Sequence, residues 1–250
     1  MKIAPDGLPF LAGFLGVALV PALVAGGLGA PAWGSGIAAA PGLILLLFSA
    51  WFFRDPERRP PEGAGIIVSP ADGKVVAVND GPTAPGLAIF LNVFDVHVNR
   101  SPIAGRVESV RYTEGRFLAA FDQRAGEANE RNDIVVAGTG GTVRVSQIAG
   151  LIARRIICKV KPGDRLEAGQ RVGLIRFGSR TDLVLPPGAR VSVRVGDRVK
   201  GGETPVGWMP AEGTGGTRSG MADSSLDAPV GPASRPGASA DALVSRVERR

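Results

Sequence analysis

The chain has 250 residues, with 29 lysines and arginines against 23 acids and a net charge of +6. That length holds one sizeable core with segments to spare, at about 100 to 200 residues per domain. The basic excess is scattered, without the Lys/Arg-rich block or aromatic-spaced stripe suited to nucleic acid, so a membrane surface is the expected partner and nucleic acid is not.

Residues 8–30, "LPFLAGFLGVALVPALVAGGLGA", carry no charge, and after "PAWGSG" a second uncharged run, "IAAAPGLILLLFSAWFF", reaches Phe53. At about 1.5 Å per residue each forms a helix close to the roughly 30 Å hydrocarbon thickness, the second at the short end. Pro21 and Pro41 weaken helix propensity, but lipid-embedded helices tolerate proline better than soluble ones. A membrane hairpin is therefore expected over residues 1–59. The competing reading is a cleaved signal peptide followed by a core helix, disfavoured by a charged region of Lys2 alone and by the second apolar run. Arg54, Arg58 and Arg59 follow the second run while the inter-run loop is uncharged, which predicts that the rest of the chain lies on the cytoplasmic side. Trp51 fits an interfacial anchor.

From about residue 65 to 199 short β-branched runs alternate with glycine, proline and aspartate. "GIIVSP", "GKVVAV", "LAIFLNVFDVHVN", "RVESVRY", "NDIVVAG", "TVRVSQIAG", "RRIICKV", "RVGLIRF", "TDLVLP" and "RVSVRV" are strand candidates. The expected fold is mainly β: an antiparallel sandwich or barrel-like core over residues 60–205, preceded by the helical hairpin. Residues 116–126, "RFLAAFDQRAG", are the one soluble helix of note. Residues 206–250 become rich in glycine, serine, proline and alanine, too poor in large apolar residues to order a core, and a disordered tail is expected over 211–250.

The segment 91–99 reads as a strand, so alternation places Asp95, His97 and Asn99 on one face and Phe94, Val96 and Val98 on the other. A carboxylate beside an imidazole fixes its tautomer and raises its basicity, which suits acid–base work near neutral pH. His97 is the single histidine, so any step that uses an imidazole falls to it. Asp72 sits in the turn "SPADGKV", where an aspartate ordinarily bonds its own backbone. Gly178-Ser179 in "RVGLIRFGSRTDLVLP" is, taken alone, hairpin punctuation. Cys158, the single cysteine, excludes an intrachain disulfide and reads as a buried structural thiol.

"FFRDPER" at 52–58 after a membrane hairpin, "SPADGKV" at 69–75, "FDVHVNRSP" at 94–102 and "RFGSR" at 176–180 occur in the order and spacing that resemble the short, bacterial and archaeal-type form of the phosphatidylserine decarboxylase family, over about residues 8–200. The resemblance implies that Gly178-Ser179 cleaves itself. Ser179 Oγ attacks the Gly178 carbonyl, the acyl group passes from nitrogen to oxygen, and β-elimination and hydrolysis leave a pyruvoyl group at position 179. The products are a membrane-attached β chain, 1–178, and an α chain, 179–250, that stay associated. The pyruvoyl carbonyl then condenses with the amine of phosphatidylserine as a Schiff base and draws electrons from the carbon losing CO2, giving phosphatidylethanolamine; no pyridoxal phosphate and no metal is called for. His97 falls on the family histidine associated with decarboxylation. The long form carries a second histidine three residues further on, proposed to work with the aspartate of the Ser-Pro-x-Asp-Gly motif and the cleaved serine as a triad; here that position is Arg100, a poor base. Either His97 serves both steps, with Asp72 or Asp95 as its orienting carboxylate, or Asp72 activates Ser179 with help from water or strain. Arg176 and Arg180 are candidates to neutralise the lipid phosphate or to form structural ion pairs. An alternative class stays open: "VKPGDRLEAGQRVGLI" at 160–175 resembles hairpins of biotinyl and lipoyl carriers and of membrane-fusion adaptors, though no lysine stands between Lys161 and Lys200 and no long heptads occur.

Overall fold

The computed structural model describes residues 2–120, 124–151, 155–176 and 179–210. Gly178 and the tail expected over 211–250 lie outside the described residues. A strand β1 (Lys2–Ile3) and a 3-10 turn at Pro5–Gly7 lead into α1 (Leu8–Gly27), and α2 (Ala32–Phe52) returns antiparallel to it. Both helices are long and apolar enough to cross a membrane, with mean hydropathies of 2.2 and 1.8. Their large apolar side chains, such as Leu23, Leu28, Trp33, Ile44 and Leu47, are exposed, as expected of surfaces solvated by lipid. Pro21 and Pro41 lie inside the helices without ending them.

The remaining regular structure among the described residues is almost all strand: β2 (Arg54–Asp55), β3 (Ile66–Val68), β4 (Gly73–Asn79), β5 (Gly86–Leu91), β6 (Val98–Arg100) and β7 (Gly105–Thr113). After the short helix α3 (Ala125–Ala128) come β8 (Arg131–Gly138), β9 (Gly141–Ile148), β10 (Ile156–Cys158), β11 (Arg165–Leu166), β12 (Arg171–Ile175) and β13 (Ser179–Val184). β14 (Arg190–Val191), β15 (Arg198–Val199) and β16 (Pro205–Trp208) complete the described chain. Eight strands form a curled antiparallel half-barrel in the order β11-β7-β8-β9-β13-β5-β4-β15. Two three-stranded sheets, β10-β12-β6 and β14-β16-β3, accompany it, and β1 pairs with β2.

Period-2 alternation explains the core. Val75, Leu87, Ile89, Leu91, Ile134, Val136, Val143, Val145 and Leu183 all point inward from the large sheet and are 0–1% exposed. At one end the inner face changes character. The register aligns Thr181 with Gln147, and Gln147 with Asn132, one step beyond the aliphatic row Leu183, Val145 and Ile134, and Ser179 lies a step further along the same face of β13.

Two expectations fail locally. Residues 116–120 are not helical: Asn129 accepts from the Leu118 N–H and donates to the Leu118 carbonyl, both at 2.8 Å, so a side chain replaces helical backbone partners and only Ala125–Ala128 turn as a helix. Residues 121–123 lie outside the described residues. The expected strand 87–99 is broken into β5 and β6 by a turn. Asn92 Oδ1 accepts from Phe94 N–H (2.7 Å), Asp95 Oδ2 from Asn92 N–H (2.9 Å), and the Asn92 carbonyl from Asp95 N–H (3.0 Å). Two short polar side chains thus satisfy the backbone in a turn, and the proposed alternation of faces is lost: Phe94 is exposed while Val96, His97 and Val98 are all buried.

Candidate active site

Two connections link the half-barrel to the sheet β10-β12-β6. The turn 92–97 joins β5 to β6, and residues 176–178 join β12 to β13. At one end of this crossing Ser179 is the register partner of Leu91; at the other the Ile175 N–H donates to the His97 carbonyl at 3.3 Å. The histidine and the serine, 82 positions apart in sequence, thereby belong to one short pair of crossovers.

Ser179 opens β13, is fully buried, and its hydroxyl has no hydrogen-bond partner among the described residues. An unpartnered buried hydroxyl costs about 1–3 kcal/mol and calls for a functional account. Beside it runs a buried amide chain: Asn132 donates to Gln147 Oε1 (3.0 Å), Gln147 to Asn99 Oδ1 (2.9 Å), and Asn99 to Thr181 Oγ1 (3.0 Å). This chain orders the polar end of the inner face around the serine.

His97 is 1% exposed, and its Nδ1 lies 2.9 Å from the Asp95 carbonyl. A carbonyl only accepts, so the neutral ring carries its proton on Nδ1 and leaves the lone pair on Nε2. Burial lowers its pKa to about 4, the Asp95 carbonyl opposing and Arg54 adding to the effect. His97 is therefore neutral at physiological pH, available as a base, and a proton placed on it is readily passed on. The Phe52 ring, at the end of α2, packs on the imidazole with centroids 4.3 Å apart.

The carboxylates considered as partners of His97 are engaged elsewhere. Asp72 Oδ2 is 2.8 Å from Arg58 and Oδ1 accepts from the Gly201 N–H at 2.8 Å. Burial holds its carboxyl above the ordinary range, with Arg58 and the Gly201 N–H pulling the other way. Asp95 offers His97 its backbone carbonyl, while its carboxylate takes the Asn92 N–H and lies 3.2 Å from Arg198. Arg180 forms a bidentate buried pair with Asp182 at 2.6 and 2.8 Å on the face of β13 opposite Ser179, covered by Gly126. Arg176 lies over the Phe10 ring of α1 at 5.0 Å, next to Arg155, with its Nε buried and unpartnered. Arg100 binds Asp55 (3.0 Å) and the carbonyls of Gly169 and Pro56, a structural tie to the segment that follows α2. Cys158 is half-buried and its thiol faces the Val160 carbonyl.

Sequence reasoning missed Phe52, Arg54, Asn132, Gln147 and Thr181. Phe52 and Arg54 stand in the "FFRDPER" stretch, which does not say what they touch, and nothing local marks Asn132, Gln147 and Thr181, which join the site only through strand pairing. The Asn99 amide was legible as a polar residue near His97, but not its partners.

The family model for phosphatidylserine decarboxylase matches residues 45–207. A phosphatidylserine decarboxylase proenzyme of Symbiobacterium thermophilum is 47% identical over 216 residues, covering 83% of this chain and 96% of the relative. One from Solibacter usitatus is 47% identical over 204 residues (82% and 95%), and one from Burkholderia mallei 43% over 218 residues (84% and 96%). The match covers most of this chain and nearly all of each relative and decides against the carrier or adaptor reading. The chain belongs to the phosphatidylserine decarboxylase proenzyme family.

Proposed function

We propose that this protein is a membrane-anchored, pyruvoyl-dependent phosphatidylserine decarboxylase that cuts its own chain between Gly178 and Ser179. The observation that carries the reading is the Ser179 hydroxyl, buried without a partner among the described residues at the end of one crossover, with the only histidine on the other. Such a hydroxyl is poorly solvated and free to turn toward a neighbouring carbonyl. His97 Nε2 takes its proton as Oγ bonds to the Gly178 carbonyl carbon, and the proton passes to the leaving nitrogen as the C–N bond breaks, leaving an ester. Loss of the Ser179 α-proton then expels the Gly178 carboxylate, and water replaces the resulting enamine nitrogen as ammonia, leaving an α-keto acyl terminus on residue 179. The residues present fit that group: a fully buried serine, a neutral imidazole, and the amide chain ending at Thr181.

When formed, the pyruvoyl group supplies an electron sink for decarboxylation of an amine-bearing substrate. His97 holds and returns the proton needed at the carbon that loses CO2. Arg176, stacked on a membrane helix and without a carboxylate partner among the described residues, is placed to neutralise a lipid phosphate, whereas Arg180 is already matched by Asp182. Asp72 supports the site through Arg58 and the turn at Gly201. The hairpin confines this chemistry to the bilayer surface, and the arginines after α2 favour the cytoplasmic side. The likeness covers the β domain and hairpin, and the tail beyond residue 205 takes no part in this reading.

Intact mass of purified active protein tests the proposal. Two chains broken before residue 179, the smaller with a blocked keto terminus, are expected, together with CO2 release from serine-headgroup lipid. Ser179→Ala should give one uncut chain with no activity. An intact linkage in active protein overturns the reading.

A further inference from the structure

We infer that Phe52, the last residue of α2, is a positioning residue for His97, so that the membrane hairpin forms one wall of the catalytic site and is more than its anchor. The inference rests on the reading above for what His97 does; the contact itself does not.

On the same helix Leu43, Ile44, Leu47 and Trp51 are 46%, 66%, 70% and 51% exposed, whereas Phe52 is 1% exposed. Its side chain faces the protein, and the imidazole lies 4.3 Å away with the ring planes inclined by 35°. Contact at this distance excludes water from one face of the imidazole and restricts its rotation. Phe52 is itself held in place: Phe53 meets it edge-on at 5.0 Å, Phe53 stacks on Phe10 of α1 at 5.3 Å, and Leu174 of β12 joins the same cluster. Both membrane helices and a strand adjoining the crossover thus hold one ring against the histidine.

The other neighbours of His97 explain orientation but not dryness. The Asp95 carbonyl holds Nδ1. Arg54 donates to the carbonyls of Trp51 and Phe94 and opposes a second positive charge nearby. The carboxylates closest to that arginine are matched already, Asp72 to Arg58 and Asp95 to Arg198. Among the described residues, Arg54 is the charge acting on the imidazole, and it adds to the loss of water rather than offsetting it. Phe52 is the large apolar group in contact with the ring itself, so it is the group whose removal lets solvent in.

Because the chain has a single histidine, imidazole NMR of the full-length protein in lipid nanodiscs reads His97 without ambiguity. The wild-type midpoint is expected near pH 4. Phe52→Ala should raise it by about one to two units toward the ordinary value as water enters. Phe52→Leu should fall between the two, Phe52→Tyr should stay near wild type, and lipid-facing Leu47→Ala should change nothing. The acid limb of the decarboxylation profile should move in parallel with the midpoint, with kcat reduced and KM for phosphatidylserine little altered. A wild-type midpoint in a folded Phe52→Ala or Phe52→Leu protein overturns the inference, as does an equal shift in Leu47→Ala. Absence of decarboxylation in the wild type would instead defeat the functional reading and leave the titration result standing.

Discussion

His97 carries a stability consequence that follows from its burial. Its folded pKa is about 4 against 6.5 for the exposed group, so between these values the unfolded chain binds more protons than the folded one. Stability is therefore undiminished by this group above about pH 6.5 and falls as the pH drops toward 4, by roughly 3 kcal/mol at 1.36 kcal/mol per unit. Asp72, whose carboxyl is held high by burial, pushes the other way, so the comparison must be with His97→Asn. Thermal unfolding of the uncut Ser179→Ala chain is expected to lose stability between pH 6.5 and 4, and the added His97→Asn change should remove most of that loss. Equal pH slopes in both proteins would contradict the buried, neutral imidazole. The same scale shows which residue choices were legible. His97 stood out as the single histidine and Ser179 only through the order of motifs around it, whereas Asp72 and Asp95 were both plausible orienting groups until the turn geometry gave the contact to the Asp95 carbonyl.

At the scale of elements, the hairpin depends on close approach of two helices. Gly42 of α2 lies against the backbone of Ala18 in α1, so that a Cβ at position 42 would collide with Ala18, and Ala18 is 1% exposed. Small residues at such a crossing let helices associate in lipid, where no hydrophobic effect drives them together. Gly42→Val is expected to force the helices apart, lower the melting temperature in nanodiscs by several degrees, and reduce decarboxylation severalfold because Phe52 rides on α2. Gly36→Ala, where a Cβ meets nothing, serves as the control. The strands were legible from alternation wherever both faces of a run were decided by burial, as in β5, β8 and β9. The run through residues 92–97 looked equally regular, but Asn92 and Asp95 bond their local backbone and outcompete the sheet.

Across the whole molecule the hairpin is fastened to the β core by a buried clasp. Asp55, directly after α2, meets Arg100 at 3.0 Å and Arg171 at 2.5 Å, while Arg58 joins Asp72 and Glu203. Asp55 and Arg100 are 7% and 3% exposed, and removing the carboxylate strands Arg100, whereas Asp55 also has Arg171. Asp55→Ala is expected to cost about 3–5 kcal/mol. Vesicle flotation of that variant should be retained, since the hairpin still partitions into lipid, while decarboxylation falls strongly as the core loses its seat on α2. Retained activity would show that the clasp does not hold the site. Arg100 occupies the position at which the long form of the family carries its second histidine, and here it serves architecture.

The amino-acid sequence by itself determined the apolar helical hairpin and the β-rich core, and singled out the serine and the histidine as candidates, because hydropathy, β-branched patterning and the order of motifs can be read along the chain. Only the tertiary structure decided that 92–97 is a turn, that Arg180 and Arg100 are committed to carboxylates, and that a membrane helix ends against the imidazole. The Arg100–Asp55 and Phe52–His97 contacts each join residues 45 positions apart, the turn and the Arg180–Asp182 pair are local choices settled by burial, and burial, which sets the charge state of His97, exists only once the segments have packed.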